Sequence, residues 1–91
     1  MNKYVIERDI PGASKLSPKE LQGIAAKSNA TLRELGPDVQ WVESYVAGDR
    51  VYCVYNAKSP DIVREHARRG GFPCDRVSEV AAVIDPTTEA R

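Results

Sequence analysis

Residues 39–57, VQWVESYVAGDRVYCVYNA, decide the fold of this chain. Two segments rich in β-branched and aromatic residues, about Val39 to Ala47 and Arg50 to Ala57, flank the dipeptide Gly48-Asp49. A glycine followed by an aspartate suits the two-residue turn that joins antiparallel strands. The stretch therefore predicts an antiparallel β-hairpin.

A strand and a helix are predicted ahead of the hairpin. Apolar and polar residues alternate from Lys3 to Ile10, which is the pattern of a half-buried strand. Ser17-Pro18 and Glu20 form a complete helix start, with an N-cap serine, a proline at the first helical position and a capping-box glutamate. Gly36-Pro37 supplies the glycine and the proline that end a helix.

A second helix and a last strand are predicted after the hairpin. Ser59-Pro60 repeats the N-cap and proline signal, and Gly70-Gly71 ends this shorter helix. Val77 to Ile84 is an apolar-rich segment that predicts the fourth strand, and Pro86 to Arg91 is a polar tail. The element order is therefore β-α-β-β-α-β.

This order predicts an α+β fold of the ferredoxin-like type. Each β-α-β half crosses over right-handed, so both helices lie on one face of a four-stranded antiparallel sheet. Residues 1–91 make a single domain with a core over about residues 3–85, followed by the polar tail 86–91. We call the opposite face of the sheet, which carries no helix, the bare face.

The hairpin register predicts which side chains point to the bare face. A two-residue turn places three pairs on one side of the hairpin: Tyr45 with Tyr52, Glu43 with Val54, and Trp41 with Asn56. The other side is more uniformly apolar and is assigned to the helices. It holds Val42, Ser44, Val46, Val51, Cys53 and Tyr55.

The bare face is predicted to be too apolar to remain in water on so small a domain. Its apolar patch consists of Trp41, Tyr45, Tyr52 and Val54. These rings could stack on an aromatic ligand, but such a cluster more often forms an interface, so we expect a homodimer that closes face to face. Glu7 and Glu43 would project into the same space, which predicts a partly polar cavity between the two copies.

Composition excludes several classes of partner. Thirteen basic and thirteen acidic residues leave no net charge, so the field that attracts nucleic acid or an anionic membrane is missing. No apolar stretch reaches the ~20 residues that span a bilayer, and we expect a cytoplasmic protein. Cys53 and Cys74 are too far apart for a C-x-x-C motif, and we expect both thiols to be reduced.

His66 is the single histidine, and its spacing places it on or beside the buried stripe of the second helix. Two interpretations are open. As a metal ligand, it would need donors such as Cys53 or Ser44 across the sheet, Glu65, or a second copy of the chain. As a structural residue, it would donate to a backbone carbonyl. Cys53 itself has no neighbouring base, so it is interpreted as a small core residue.

Glu7 and Glu43 also have two interpretations. Burial in a shared cavity would raise a carboxyl pKa toward the range that is useful for acid-base chemistry. Alternatively, the two carboxylates form ion pairs with Arg8, Arg50 or Arg64 at the sheet edge. The ion-pair interpretation is favoured, and no residue is assigned a catalytic role.

The chain resembles a known family from Tyr4 to about Val80. The resemblance rests on four segments: Val63–Pro73, Tyr4–Arg8, Trp41–Tyr45 and Tyr52–Tyr55. The family comprises small bacterial nickel-binding, nickel-responsive proteins, formerly a domain of unknown function, whose members resemble the dimeric α+β barrel group. The resemblance implies a cytoplasmic homodimer that binds nickel or a similar divalent ion, with His66 at the position of the family's helix histidine.

Two functional hypotheses follow, and an interaction module without a ligand is a third possibility. The first is a non-catalytic nickel-binding protein, metal-responsive or metal-sequestering, with His66 as the main ligand and Cys53 or Glu65 beside it. The second is a cofactor-free enzyme or small-molecule-binding protein that uses the cavity of the dimer. The residues that would line this cavity are Glu7, Trp41, Glu43 and Tyr45.

Overall fold

The computed structural model describes residues 1–91 and has the predicted β-α-β-β-α-β order. The main elements are β1 (Asn2–Asp9), α1 (Pro18–Leu35), β2 (Val39–Ala47), β3 (Arg50–Ala57), α2 (Pro60–Gly70) and β4 (Arg76–Glu79). Two short 3-10 helices, Ala13–Lys15 before α1 and Pro86–Ala90 after β4, accompany these elements, and Ala13 is buried.

The four strands form one antiparallel sheet in the order β2-β3-β1-β4. The two crossovers each carry a helix, and α1 and α2 pack on each other and on the same face of the sheet. The predicted ferredoxin-like α+β fold is therefore confirmed.

Both helices begin and end where their capping residues predict. The Ser17 hydroxyl accepts a hydrogen bond from the Glu20 backbone N–H (3.1 Å), and the Glu20 carboxylate accepts one from the Ser17 N–H (3.0 Å). The N-cap of α2 is Ser59, and its C-cap is Gly71 in the left-handed conformation (φ 71°), which favours glycine. Neither helix combines the length and the apolar character that a membrane crossing needs.

The core lies between the sheet and the helices. Along β1, Tyr4 and Ile6 point to this side, opposite Tyr55 and Cys53 of β3. The cluster consists of Tyr4, Ile6, Val39, Cys53, Tyr55, Ala57 and Val63, all of them buried. Because the alternation continues along β1, the next side chain on this face is a charged one, Arg8, and it is also buried.

The hairpin register corrects the predicted position of Trp41. The pairs Tyr45–Tyr52 and Glu43–Val54 are confirmed, but a β-bulge between Trp41 and Glu43 places Trp41 opposite Tyr55 instead of Asn56. A bulge adds one residue to a strand and so reverses the face of every residue beyond it. Trp41 therefore lies on the helix side.

The bulge has the opposite effect on Val42. This residue has no partner on β3 and its side chain is 49% exposed, so its predicted place on the helix side is wrong.

The last strand is shorter than the predicted Val77 to Ile84. Tyr4 of β1 pairs with Glu79, and the Val80 N–H donates to the Lys3 carbonyl (2.8 Å). Beyond this point β1 has almost no backbone left to pair with, because it begins at Asn2. Val83 and Ile84 are consequently not in a strand, and they are 66% and 78% exposed.

Candidate functional site

The structure places His66 at the centre of the contact between α2 and the sheet. Its side chain is fully buried. The ring lies between Tyr55 of β3 (ring centroids 5.3 Å apart) and Phe72, which follows α2 (5.7 Å, stacked). The glycines at the end of the helix allow this arrangement, because Gly71 turns the chain back and Gly70 has no side chain where the Phe72 ring packs. The predicted burial of His66 is thus explained by its neighbours.

His66 has one hydrogen-bond partner inside the protein. Its Nε2 atom lies 3.2 Å from the Ser28 hydroxyl of α1, and Nδ1 is buried without a partner. The side-chain partner is thus a serine hydroxyl. Burial lowers the pKa of His66, a hydrogen bond with the Ser28 backbone acts in the opposite direction, and the positive charge of Arg8 lowers the pKa further. The imidazole is therefore neutral at pH 7 and keeps one nitrogen lone pair.

The other predicted metal ligands have different partners. The Cys53 thiol is buried and accepts a hydrogen bond from Arg8 Nε (3.4 Å). The Glu65 carboxylate accepts hydrogen bonds from Arg68 Nε (2.8 Å) and Arg69 Nε (2.7 Å), which lower the pKa of Glu65 to about 2. The Ser44 hydroxyl accepts one from the Trp41 indole.

A complete nickel site does not form within one chain. No three histidine, cysteine, aspartate or glutamate side chains are close enough together to hold a metal ion. Nickel(II) favours tetragonal or octahedral sites with about four to six donors. The residues present fit the ion only in part. His66 Nδ1 is the single buried side-chain nitrogen or oxygen atom that has no hydrogen-bond partner and could bind a metal directly.

Arg8 is a functional candidate that the sequence analysis missed. The side chain is 3% exposed, and its guanidinium donates to Cys53 Sγ, the Pro73 carbonyl and the Tyr55 hydroxyl (3.3 Å). It also lies over the ring of Phe72, 5.6 Å from the centroid. The alternation of side chains along β1 could have identified it. Arg8 follows Tyr4 and Ile6 at a spacing of two residues, on the buried side of the strand.

A small cavity opens beside Arg8, between α1 and the sheet. It has a volume of about 50 Å³. Its walls are mostly apolar and include Ile24 of α1, Trp41 of β2, Tyr55 of β3 and Phe72. The bulge in β2 creates this wall, since it turns Trp41 toward the helices.

The predicted bare-face site is not assembled as expected. Glu7 is within ion-pair distance of Arg50 (3.4 Å) and Arg76 (3.9 Å). Glu43 is exposed and accepts a hydrogen bond from the Tyr45 hydroxyl, which raises the pKa of Tyr45. The ion pair of Glu7 with an arginine is therefore present.

The remaining residues of that prediction lie elsewhere. Arg8 is on the opposite face, and Arg64 pairs with Asp61 (3.8 Å) on α2, so neither reaches Glu7 or Glu43. Trp41 also lies on the helix face, so Glu7, Trp41, Glu43 and Tyr45 do not share one cavity.

Comparison with known proteins identifies the family. No curated protein sequence matches the chain. The crystal structure of SCO4226 from Streptomyces coelicolor A3(2) has the same fold, with a TM-score of 0.74 and 17% sequence identity over 90% of this chain and 99% of that one. A sequence model described as "Nickel responsive protein SCO4226-like" matches residues 4–80. This match covers the sheet, both helices and the His66 site, and the chain belongs to the SCO4226-like family of nickel responsive proteins.

Proposed function

We propose that this protein binds nickel in the cytoplasm without catalysing a reaction, and that it responds to the ion or sequesters it. The observation that carries the proposal is the family match over residues 4–80, because the family is described as nickel responsive. The site geometry adds a donor that suits the ion.

His66 is the proposed main ligand. Its imidazole is neutral, so no proton has to leave before a metal binds. Its Nδ1 atom is buried and has no hydrogen-bond partner, which is costly for a polar atom and is relieved by any bond that it forms. Imidazole nitrogen is a good ligand for nickel(II).

The remaining donors have to come from groups that now have other partners, or from water. Cys53 accepts a hydrogen bond from Arg8, and Glu65 accepts hydrogen bonds from Arg68 and Arg69. Nickel binding that uses either side chain competes with these arginines, so the proposed affinity is moderate. The positive charge of Arg8 near His66 opposes a divalent cation in the same way.

Calorimetric titration of the untagged protein with nickel tests the proposal. We expect saturable binding to the wild type, no measurable binding to His66→Gln, and weaker binding to Cys53→Ser and Glu65→Gln. Glu34→Gln is the matched control, since this exposed glutamate on α1 forms no ion pair. Equal affinity in the wild type and His66→Gln would remove His66 from the site, and no binding by the wild type would overturn the function.

A homodimer completes the proposal. The structure leaves an apolar patch on the bare face, and we call this group the dimer patch: Val5, Tyr45, Tyr52 and Val54. Tyr45 is 53% exposed and the other three are half-buried. The strand pairing makes them neighbours, since Val5 lies opposite Val54 and Tyr45 opposite Tyr52. A second copy of the chain covers this face.

The alternative function, a cofactor-free enzyme or small-molecule carrier in the dimer cavity, has less support. Trp41 lies on the other face of the sheet, and Glu7 is paired with Arg50 and Arg76. A carboxylate that is neutralised by two arginines is a poor general base.

A further inference from the structure

The charge of Arg8 is buried without a counter-ion. No carboxylate lies within 4.0 Å of its guanidinium. All ion pairs in the structure are formed by other arginines. Its partners are a thiol, a backbone carbonyl, a phenol and an aromatic ring, none of which carries a full negative charge. Arginine remains protonated in proteins, so the positive charge persists.

A buried charge of this kind is costly. Buried charges in proteins are normally paired or coordinated, because removing an ion from water is unfavourable unless an opposite charge replaces the solvent. Arg8 therefore has the chemistry of an unfilled anion site. Its planar fork of N–H donors matches a carboxylate in particular.

The cavity between α1 and the sheet lies beside Arg8, which is one of its lining residues, and almost all of the surface of its wall is apolar. Its volume of about 50 Å³ has room for roughly three to five non-hydrogen atoms, taking about 10 to 15 Å³ for each water-sized position. Ile24 of α1 forms part of the wall and is 40% exposed, so the cavity is reached from solvent at this helix.

The polar groups of the cavity are donors. The Tyr55 hydroxyl accepts from Arg8 and is also hydrogen-bonded to Ser28, and burial raises the pKa of Tyr55 so that the hydroxyl stays protonated. The Ser44 hydroxyl accepts from Trp41 and keeps a free proton. Ser28 contributes a third hydroxyl, and no aspartate or glutamate lines the cavity.

We infer that this cavity binds a small aliphatic carboxylate of about two or three carbons. The carboxylate is held by Arg8 and the neighbouring hydroxyl groups, and the short apolar body packs against Ile24, Trp41 and Phe72. Charge complementarity selects the anion, while the size and the apolar walls select a short chain. Cys53 in the cavity wall is the one residue shared with the proposed nickel site. Carboxylate binding and nickel binding can therefore be tested separately.

Trp41 provides the readout, because it is the single tryptophan of the chain and lines the cavity. The wild-type protein is titrated with propionate at constant ionic strength, with tryptophan fluorescence as the signal. Propionamide, which has the same shape without the charge, and chloride and nitrate, which have the charge without the apolar body, are titrated in parallel. We expect a saturable change with propionate alone.

Two matched variants locate the binding. Arg8→Met keeps the long stem and removes the charge, and we expect it to bind propionate about ten- to a hundredfold more weakly, as loss of a charge-assisted hydrogen bond predicts. Arg50→Met, on the bare face, is expected to bind like the wild type. Arg8→Lys serves if Arg8→Met does not fold; it keeps the charge but not the fork, and weaker binding is expected.

Three results would overturn the inference. They are no saturable response of the wild type to propionate, an equal response to propionamide, and unchanged propionate affinity in the Arg8 variants. Equal affinity for nitrate would also overturn it as stated, because the site would then be a general anion site without selection for a carboxylate.

Discussion

At the scale of the residue, the site depends on one neutral histidine and one uncompensated arginine. His66 and Arg8 both contact Tyr55 and Phe72, so the two side chains share one aromatic environment. The burial of His66 and the positive charge of Arg8 both lower the pKa of the imidazole. The electrostatics of this core therefore favour neutral or anionic groups in the empty space beside it.

His66 also predicts how stability depends on pH. Its pKa is lowered on folding, so the folded protein binds this proton less readily than the unfolded chain does. The stabilising contribution is present above the ordinary histidine pKa of about 6.5 and is lost as the pH falls below that value. We expect the free energy of unfolding, measured with urea in metal-free buffer, to decrease from pH 7 to pH 5.

The matched variant for this prediction is His66→Gln, which cannot titrate in this range. Its unfolding free energy is expected to change less between pH 7 and pH 5 than that of the wild type. The same pH dependence in both proteins would contradict the assignment of the proton to His66.

Sequence reasoning at this scale recovered His66 but not Arg8. The helical spacing of His66 placed it on the buried stripe, and the structure agrees. Arg8 was considered only as a partner for glutamates, because an arginine is rarely buried without a pair. Its burial follows from its phase on β1, but the absence of a counter-ion depends on tertiary contacts that no sequence pattern shows.

At the scale of the element, local chemistry predicted most boundaries and long-range pairing decided the exceptions. The capping serines and the closing glycines fixed both helices, and Gly48-Asp49 fixed the hairpin turn. The β-bulge at Val42 has no sequence signature, since a valine there fits a regular strand equally well. The end of β4 depends on how much of β1 remains for pairing.

The end of α2 gives a prediction with a matched control. A Cβ at Gly70 would lie 2.6 Å from the Phe72 Cδ2 atom, so the ring has to move away from His66. We expect Gly70→Ala to destabilise the protein by about 1 to 3 kcal/mol, as overpacking does. Urea unfolding measures the change.

Gly23→Ala is the control, because Gly23 also lies in a helix but has no atom within 4 Å of its added Cβ. It is expected to stabilise the protein by about 0.5 to 1 kcal/mol through helix propensity. If both variants shift stability in the same direction, Phe72 is not packed against Gly70 as described.

At the scale of the whole molecule, one face of the sheet is covered by helices and the other is left with an apolar patch. The dimer patch and the exposed Val83 and Ile84 add apolar surface that a small domain does not usually leave in water. The sequence predicted this division of faces correctly except for Trp41 and Val42, which the β-bulge places on the opposite faces. The change at Trp41 moves an aromatic side chain from the proposed interface to the cavity.

The proposed homodimer gives a prediction at this scale. Val54→Glu introduces a charge in the middle of the dimer patch, opposite Glu43, without touching the core on the other face. We expect its dimer dissociation constant to rise about a hundredfold or more, because an unpaired buried charge costs about 3 kcal/mol or more. Analytical ultracentrifugation measures the change.

Val46→Glu is the matched control, since Val46 is 38% exposed at the hairpin end and belongs to the other face. It is expected to dimerise like the wild type. A wild-type protein that is monomeric at all concentrations would contradict the proposed homodimer, and dimerisation of Val54→Glu with wild-type affinity would place the interface elsewhere.

Nickel binding through His66 is tested by equilibrium dialysis of untagged wild type and His66→Gln, both purified without nickel resin, against a nickel solution. Elemental analysis gives the nickel on the protein side in excess of the dialysate. We expect this excess for the wild type and none for His66→Gln. No excess nickel with the wild type, or an equal excess with both proteins, would contradict the proposal.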